Sequence, residues 1–403
     1  RSRRRGGQGF PPQAMILRII TTERGGVTVK LLHTADVHLD APNVSLGSRA
    51  ADLRRRTWEA WERTIEAALA QQVQLFIIAG DLFDTRTPAA KTVDRALRSL
   101  QRLTGATPAI HVILLPGTHD CWSEGGFWDS PAIRVLPESV HVLGGPGGSS
   151  LALPHLGATV HGCPHRCDLQ GQRPLCELRA DPDAAINIGV IHASPERGDV
   201  QDGAQVSSSE LAGSRMDYVA LGHWHRWQDC SEGGVTAIMP GSIEVPGFGS
   251  WDRGSVALVT LGEGPVCVQR LEIGTLQARE LSVDAGDLRG TEDLVAVIEA
   301  HADPDLLLDV RLTGLGAAGT LLDLDAAMER LSGAFFALRI TDRSHPALDA
   351  LAEEHLDPKL TLGRFVELAR ARIDAACDEQ QRRVAERALQ IGVSMLRRTG
   401  GAE

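Results

Sequence analysis

No stretch of the sequence approaches the ~18 uninterrupted apolar residues of a membrane-spanning helix, so no membrane partner is expected. Cysteine is scarce: seven among 403 residues, scattered and odd in number. That excludes a disulfide framework and predicts free thiols in a reducing compartment. The cysteines crowd once, in the run His161, Cys163, His165, Cys167 with Cys176 beyond. A zinc knuckle needs two close pairs at matched spacing, and a single Cys-x3-Cys pair predicts incidental thiols on a loop. Lysine is rarer still, three of 41 basic residues, which together with abundant Ala, Gly and Leu records genomic base composition and carries no functional weight.

A basic stripe is missing too. Basic and acidic residues number six and one over 1–27, 20 and 28 over 28–275, and 15 and 23 over 276–403, for a net charge of −11. This excludes a self-sufficient polyanion-binding surface, so any nucleic-acid contact must be local, metal-mediated or shared with a partner. The cluster Arg54, Arg55 and Arg56 is expected to solvate a helix. Internal repeats and low-complexity tracts are absent, and Gly144–Ser150 has neither a P-loop lysine nor a following helix, so a turn is expected there. Residues 1–14 are basic without the apolar core of a signal peptide, which predicts a cytoplasmic chain with Met15 as its natural start.

What is present is an ordinary globular composition, 43% hydrophobic and 23% charged, and length for two or three domains. From residue 28 to 275, short β-branched runs alternate with amphipathic segments, the pattern of an α/β domain. Strands are expected at Thr28–Leu32, Leu75–Ala79, Ile110–Leu115, Ile186–Ile191, Tyr218–Leu221, Val235–Met239, Ser255–Thr260 and Cys267–Leu271. Helical spacing over Arg49–Ala70 makes Trp58 and Trp61 packing residues, and Thr87-Pro88 reads as the N-cap and first position of a second helix. Residues 1–27 form a basic lead-in, and 276–403 a small α+β domain with strands at Leu306–Leu312 and Phe335–Ile340, a helix at Leu322–Leu331 and two closing helices within Thr361–Arg398. That last pair either packs on its own domain, the commoner outcome, or docks a partner.

The chemistry sits where Asp and His follow strands. Asp36 and His38 follow the first, where an extended backbone would aim both the same way. Asp81, with Asp84 behind it, follows the second through Gly80; His119 and Asp120 follow the third through Gly117; His192 ends a fourth; His223 and His225 follow a fifth through Gly222. Ligands of open α/β sheets bind at the carboxyl ends of strands, so these clusters can meet although they span the chain from 36 to 225. Mixed imidazole and carboxylate donors suit manganese, iron or zinc, and they are too many for one ion. Two cations ~3.5–4 Å apart, bridged by a carboxylate such as Asp81, would clamp a phosphoryl oxygen and activate a water, which predicts phosphoester hydrolysis.

In that order, Asp36-Val-His38, Gly80-Asp81-Leu-Phe-Asp84, Gly117-Thr118-His119-Asp120, His192 and Gly222-His223-Trp-His225 resemble the calcineurin-like metallophosphoesterase superfamily. Leu32-His33-Thr34-Ala35-Asp36, Asp217 to His223 and Pro240-Gly241-Ser242 resemble its DNA-repair exonuclease branch, of SbcD and YhaO type. The resemblance implies a β-sandwich flanked by helices, with a metallophosphoesterase domain over 28–275 and a capping or partner-docking domain over 276–403. It implies Asp36, His38, Asp81 and His225 on one divalent cation and Asp81, His192 and His223 on the other, manganese first, with iron, zinc or magnesium as alternatives. His119 would donate a proton to the leaving oxygen or steady the phosphate, with Asp120 orienting it. DNA, an SbcC/YhaN-like coiled-coil ATPase and a second copy of the chain are the implied partners. Thr118 departs from the asparagine the resemblance expects as a ligand of the second cation, which predicts a weaker second site and reduced, not abolished, activity.

The sequence therefore reads as a DNA exonuclease with some endonuclease capacity, acting in repair or defence. Two alternatives stand beside it: a small-molecule phosphodiesterase of the same fold, and a low-activity DNA-end-binding scaffold subunit.

Overall fold

A computed structural model of the chain describes residues 26–145, 147–169, 171–196, 204–249, 251–314, 316, 322–345, 356–357 and 359–400. The basic lead-in expected over 1–27 thus falls almost wholly outside the described residues. The chain divides into two units, one ending at Thr275 and excluding 247–251, the other formed by 247–251 and 276 onward.

The first unit is built on strands β1 (Val29–Thr34), β2 (Leu75–Ala79), β3 (His111–Leu115), β4 (Val140–Val142), β5 (Ser149–Leu153), β6 (Ala158–Cys163) and β7 (Ile186–His192). The short pair β8 (Ser194–Pro195) and β9 (Gln205–Val206) follows, then β10 (Tyr218–Gly222), β11 (Gln228–Asp229), β12 (Thr236–Met239), β13 (Ser255–Leu261) and β14 (Cys267–Glu272). They form two six-stranded mixed sheets, ordered β14-β13-β1-β2-β3-β4 and β11-β12-β10-β7-β6-β5. The two-residue period of a strand sorts the side chains. Leu31, Leu75, Ile77 and Ile113 of the first sheet share one buried core with Val160, Ile188, Val190 and Tyr218 of the second. Leu32, Phe76, Ile78, Val112 and Leu114 point the other way, onto helices α1 (Ala50–Ala70) and α2 (Ala90–Thr104). Trp58 and Trp61 are buried in that second core, as their spacing predicts. β2 is buried at every position, which is why it reads as an unbroken apolar run.

Several elements differ from the sequence reading. α2 starts two residues beyond Thr87-Pro88, with Ala89 at its N-cap and no side-chain cap. β4, β5 and β6 were not expected: they are short or carry polar and small residues, and pairing with strands already in place supplies their order. Free thiols were expected throughout, yet Cys121 and Cys167 form a disulfide, with Cα atoms 5.4 Å apart across 46 residues. The loops after β3 and β6 run alongside each other, with Trp122 N–H donating to His165 O (2.8 Å) and Cys167 N–H to Trp122 O (3.2 Å). That proximity is tertiary and leaves no trace in cysteine spacing. Cys163, Cys176, Cys230, Cys267 and Cys377 keep their thiols, as expected.

The second unit is a parallel three-stranded sheet of β15 (Gln277–Asp284), β16 (Asp303–Thr313) and β17 (Phe335–Asp342). Leu306, Leu308, Val310 and Leu312 bury against α5 (Thr291–Glu299) and α6 (Leu324–Leu331). Neither β15 nor α5 was expected: β15 has few apolar positions, interrupted by Arg, Glu and Ser, and the five-residue apolar run of α5, Leu294 to Ile298, is too short to show a helical period. Helices Thr361–Asp374 and Glu379–Gly400 pack on each other through Val366, Leu389 and Val393, and cross where Gly392 faces the Phe365 ring. No helix among the described residues is long and apolar enough to cross a membrane.

The two sheets of the first unit are tied by a buried polar contact, His33 Nδ1 of β1 to the hydroxyl of Tyr218 in β10 at 2.8 Å. Burial pushes the His33 pKa down to about 3, so the native state holds the neutral ring while the unfolded chain takes up a proton near pH 6.5. The stabilisation is present above pH ~6.5 and should be lost at about 1.4 kcal/mol per pH unit as pH falls towards 3. Urea unfolding between pH 7 and pH 4 should show this slope, and a His33→Gln protein should lack it.

Candidate metal centre

The carboxyl ends of β1, β2, β3, β7 and β10 lie side by side because β1-β2-β3 and β7-β10 run parallel within their sheets. Beyond β1 the chain stays paired to the turn after β2: Val37 and His38 N–H donate to Asp81 O at 2.9 and 3.0 Å, and Leu39 N–H to Leu82 O at 3.0 Å. The extended backbone expected for Asp36-Val-His38 is not adopted. Asp36 (φ 51°), His38 (φ 48°) and Asp81 (φ 53°) are all left-handed, a conformation Asp and His tolerate better than most residues and one that concentrates at functional sites. Glycines make the approach possible. A Cβ on Gly80 would lie 2.1 Å from His192 Nδ1, and one on Gly117 would lie 2.2 Å from Asp81 Oδ1.

Three overlapping groups place their nitrogen and oxygen donors within 4.8 Å of one another: Asp36, His38 and His225; His38, Asp81 and His119; and Asp36, Asp81 and His192. His223, absent from these groups, sets its ring against that of His192, centroids 5.3 Å apart. Its N–H meanwhile donates to both carboxylate oxygens of Asp36, at 3.1 and 3.0 Å. Asp81 is the hub. Its Oδ1 accepts the His119 N–H at 2.8 Å, and its Oδ2 accepts the Thr118 hydroxyl at 3.0 Å and lies 3.3 Å from His192 Nε2 and 3.7 Å from His38 Nε2. Burial raises its pKa, but the charges of His192 and His38 overcome that and hold it well below the usual carboxylate range.

The imidazoles are oriented from behind. His38 Nδ1 meets Asp84 Oδ1 (2.9 Å), His192 Nδ1 meets the Ala79 carbonyl (2.8 Å), and His225 Nδ1 meets the Ser242 hydroxyl. His38 Nε2, buried and without a hydrogen-bond partner, is left facing the cluster. Outer partners of this kind fix the tautomer of a metal-binding histidine. Asp36, Asp81 and His192 are all at most 2% exposed, and no Lys or Arg lines the adjoining cleft of about 290 Å³. Buried carboxylates with imidazoles and no lysine or arginine as ion-pair partners among the described residues fit divalent cations.

His119 stands at the cleft, its side chain 49% exposed, with Nδ1 3.3 Å from Asp84 Oδ1. The Asp84 hydrogen bond, opposed by burial and aided by Asp81, raises its pKa to about 9. Asp120, expected to orient it, does otherwise. Its two oxygens accept the N–H groups of Gly117 (2.8 Å) and Phe83 (3.1 Å), and burial, with the Asp81 charge, pushes its pKa up to about 7. Asp120 braces the backbone of two site loops, and the carboxylate against the His119 ring is Asp84. The place of Asp84 three residues past Asp81 was the available signal, but which loop lies over His119 is a tertiary fact. His165, read as part of an incidental run, belongs to the same neighbourhood: His192, Asp81 and His223 all act on its ring electrostatically.

Two outcomes follow. Asp84→Asn should lower the His119 pKa from about 9 towards its ordinary value, read by NMR titration of the ring. Gly117→Ala should displace the Asp81 carboxylate and cut divalent-cation uptake in equilibrium dialysis while leaving the far-UV spectrum of the fold.

Residues 29–227 match the family described as Calcineurin-like phosphoesterase. The chain is 24% identical over 276 residues to "Uncharacterized metallophosphoesterase YhaO" of Bacillus subtilis (strain 168), covering 66% of each. It is 24% identical over 283 residues to "DNA double-strand break repair protein Mre11" of Saccharolobus solfataricus, covering 66% of this chain and 71% of that one. Similarity to one of the subunits of the nuclease SbcCD of Escherichia coli (strain K12) is 25% over 327 residues, covering 71% of this chain and 78% of that one. With the family match lying over the strands that carry the Asp and His clusters, residues 29–227 of this chain are a calcineurin-like metallophosphoesterase domain.

Proposed function

We propose that the protein is a metal-dependent DNA nuclease, an exonuclease with some endonuclease capacity. The observation that supports a phosphoester hydrolase is the meeting of Asp36, His38, Asp81, His192 and His225, of which Asp36, His38 and His225 line an open cleft beside half-exposed His119. The choice of DNA rests on the likeness, over two thirds of the chain, to relatives named for double-strand break repair and for nuclease activity. Asp36, His38, Asp81 and His225 would hold one divalent cation, and Asp81, His192 and His223 a second, with Asp81 shared. Bound there, the cations would lower the pKa of a shared water and offset charge on the phosphoryl oxygens. His119, kept protonated by Asp84, would face the phosphate and give its proton to the departing oxygen. With no basic stripe in the sequence, a coiled-coil ATPase partner would supply the cationic track for long DNA.

The small cleft, lined without Lys or Arg, favours a compact phosphodiester as the second reading. End-labelled duplex and single-stranded DNA, and a chromogenic diester, should be incubated with the protein and manganese. DNA should be cleaved, and His119→Ala should lose about 10²–10⁴-fold in kcat while still taking up metal. Turnover of the diester alone would move the assignment to a small-molecule phosphodiesterase.

A further inference from the structure

Thr118 stands where the resemblance expects an asparagine donor to the second cation, and its hydroxyl lies 3.0 Å from Asp81 Oδ2 and 3.4 Å from His192 Nε2. Asp81, His192 and His223 alone are a sparse set. Across the site, the loop after β6 brings up His165. The Nδ1 of that ring is buried and has no hydrogen-bond partner among the described residues. His161, on the strand just before, has both ring nitrogens partnered, with Ser150 (2.8 Å) and Asn187 (2.9 Å). The groups whose charge His165 feels are His192, Asp81 and His223, the members of the second set.

Its place is fixed by the loop that carries Thr118. His165 N–H donates to Pro116 O (3.1 Å), its carbonyl accepts from Trp122 N–H (2.8 Å), and the Cys121–Cys167 disulfide closes the far side. The loop 116–122, with Thr118 at its centre, is therefore bracketed by the His165 main chain. Histidine and threonine at 165 and 118 are complementary: one ring nitrogen lacks a partner where the other side chain offers only a hydroxyl, a weaker donor to a cation than an amide or an imidazole.

We infer that His165 is a further ligand of the cation held by Asp81, His192 and His223, serving where Thr118 does not. This rests on the two-cation reading above. With His165 the second set holds three imidazoles and one carboxylate, a composition that favours zinc or iron over magnesium, while the first keeps two carboxylates. The two positions should then differ in metal preference.

The test is a manganese titration of the full chain, with free ion read by electron paramagnetic resonance and heat by calorimetry. The parent should take up two ions. His165→Phe, which keeps a ring of similar size and removes both nitrogens, should weaken the second ion by at least about 10–100-fold and leave the first unchanged. Adding Thr118→Asn to His165→Phe should restore much of the loss, and His165→Ala should behave as His165→Phe does. In competition, zinc should displace manganese from the second position of the parent before the first, and zinc affinity at that position should fall in His165→Phe. A parent that binds two ions beside a His165→Phe protein that binds both equally well overturns this inference alone. A parent that binds fewer than two ions overturns the two-cation reading and this inference with it.

Discussion

A carboxylate buried to 2% exposure at the meeting of two sheets sets the terms for everything around it. Asp81 receives the His119 main chain and the Thr118 hydroxyl, faces His192 and His38, and is reached only because Gly80 and Gly117 have no side chain. Negative charge placed so deep needs matching positive charge or protons. Within the chain that role falls to the imidazoles, and the pKa of His192 is raised to about 10, burial opposing and Asp81 prevailing. Cation binding at this cluster must displace those protons, so metal uptake and proton release are one event here.

Legibility in the sequence followed apolar composition, not burial: β6 is buried at every position but carries His and Gly, and was missed. β1, β2, β3, β7 and β10 lie inside their sheets and read as apolar runs, so the residues just past their ends could be named before the fold was known. β4, β5 and β6 depend on neighbours more than on their own composition, and went unread. The same division runs through the site. Which Asp and His residues converge follows from strand order, but the partnership of Asp84 with His119, the bracing role of Asp120 and the approach of His165 all come from loops laid over one another. The disulfide is of this second kind, since pairing across 46 residues needs the loops after β3 and β6 to be neighbours first.

The two units contrast in how they handle buried charge. In the second, Asp309 is 2% exposed and is answered by Arg339 through two hydrogen bonds (2.9 and 2.7 Å), an arrangement complete within the chain. In the first, the carboxylates of Asp36 and Asp81 have no arginine or lysine among their ion-pair partners in the described residues. The same physical problem is answered by arginine in the second unit and by imidazoles in the first.

The strands that feed the site also fill two cores, and this has a consequence for length variation. Along β2, Leu75 and Ile77 enter the space between the sheets, Phe76 and Ile78 enter the space under the helices, and Asp81 follows two residues after the strand ends. Inserting or deleting a single residue there would exchange the two faces, burying each side chain in the wrong layer, and would swing the carboxylate away from the imidazoles in the same stroke. The exposed turn from Glu232 to Gly234, between β11 and β12, carries no such double duty. Evolutionary insertions should therefore collect at that turn, leaving the run from Leu75 to Asp81 at constant length.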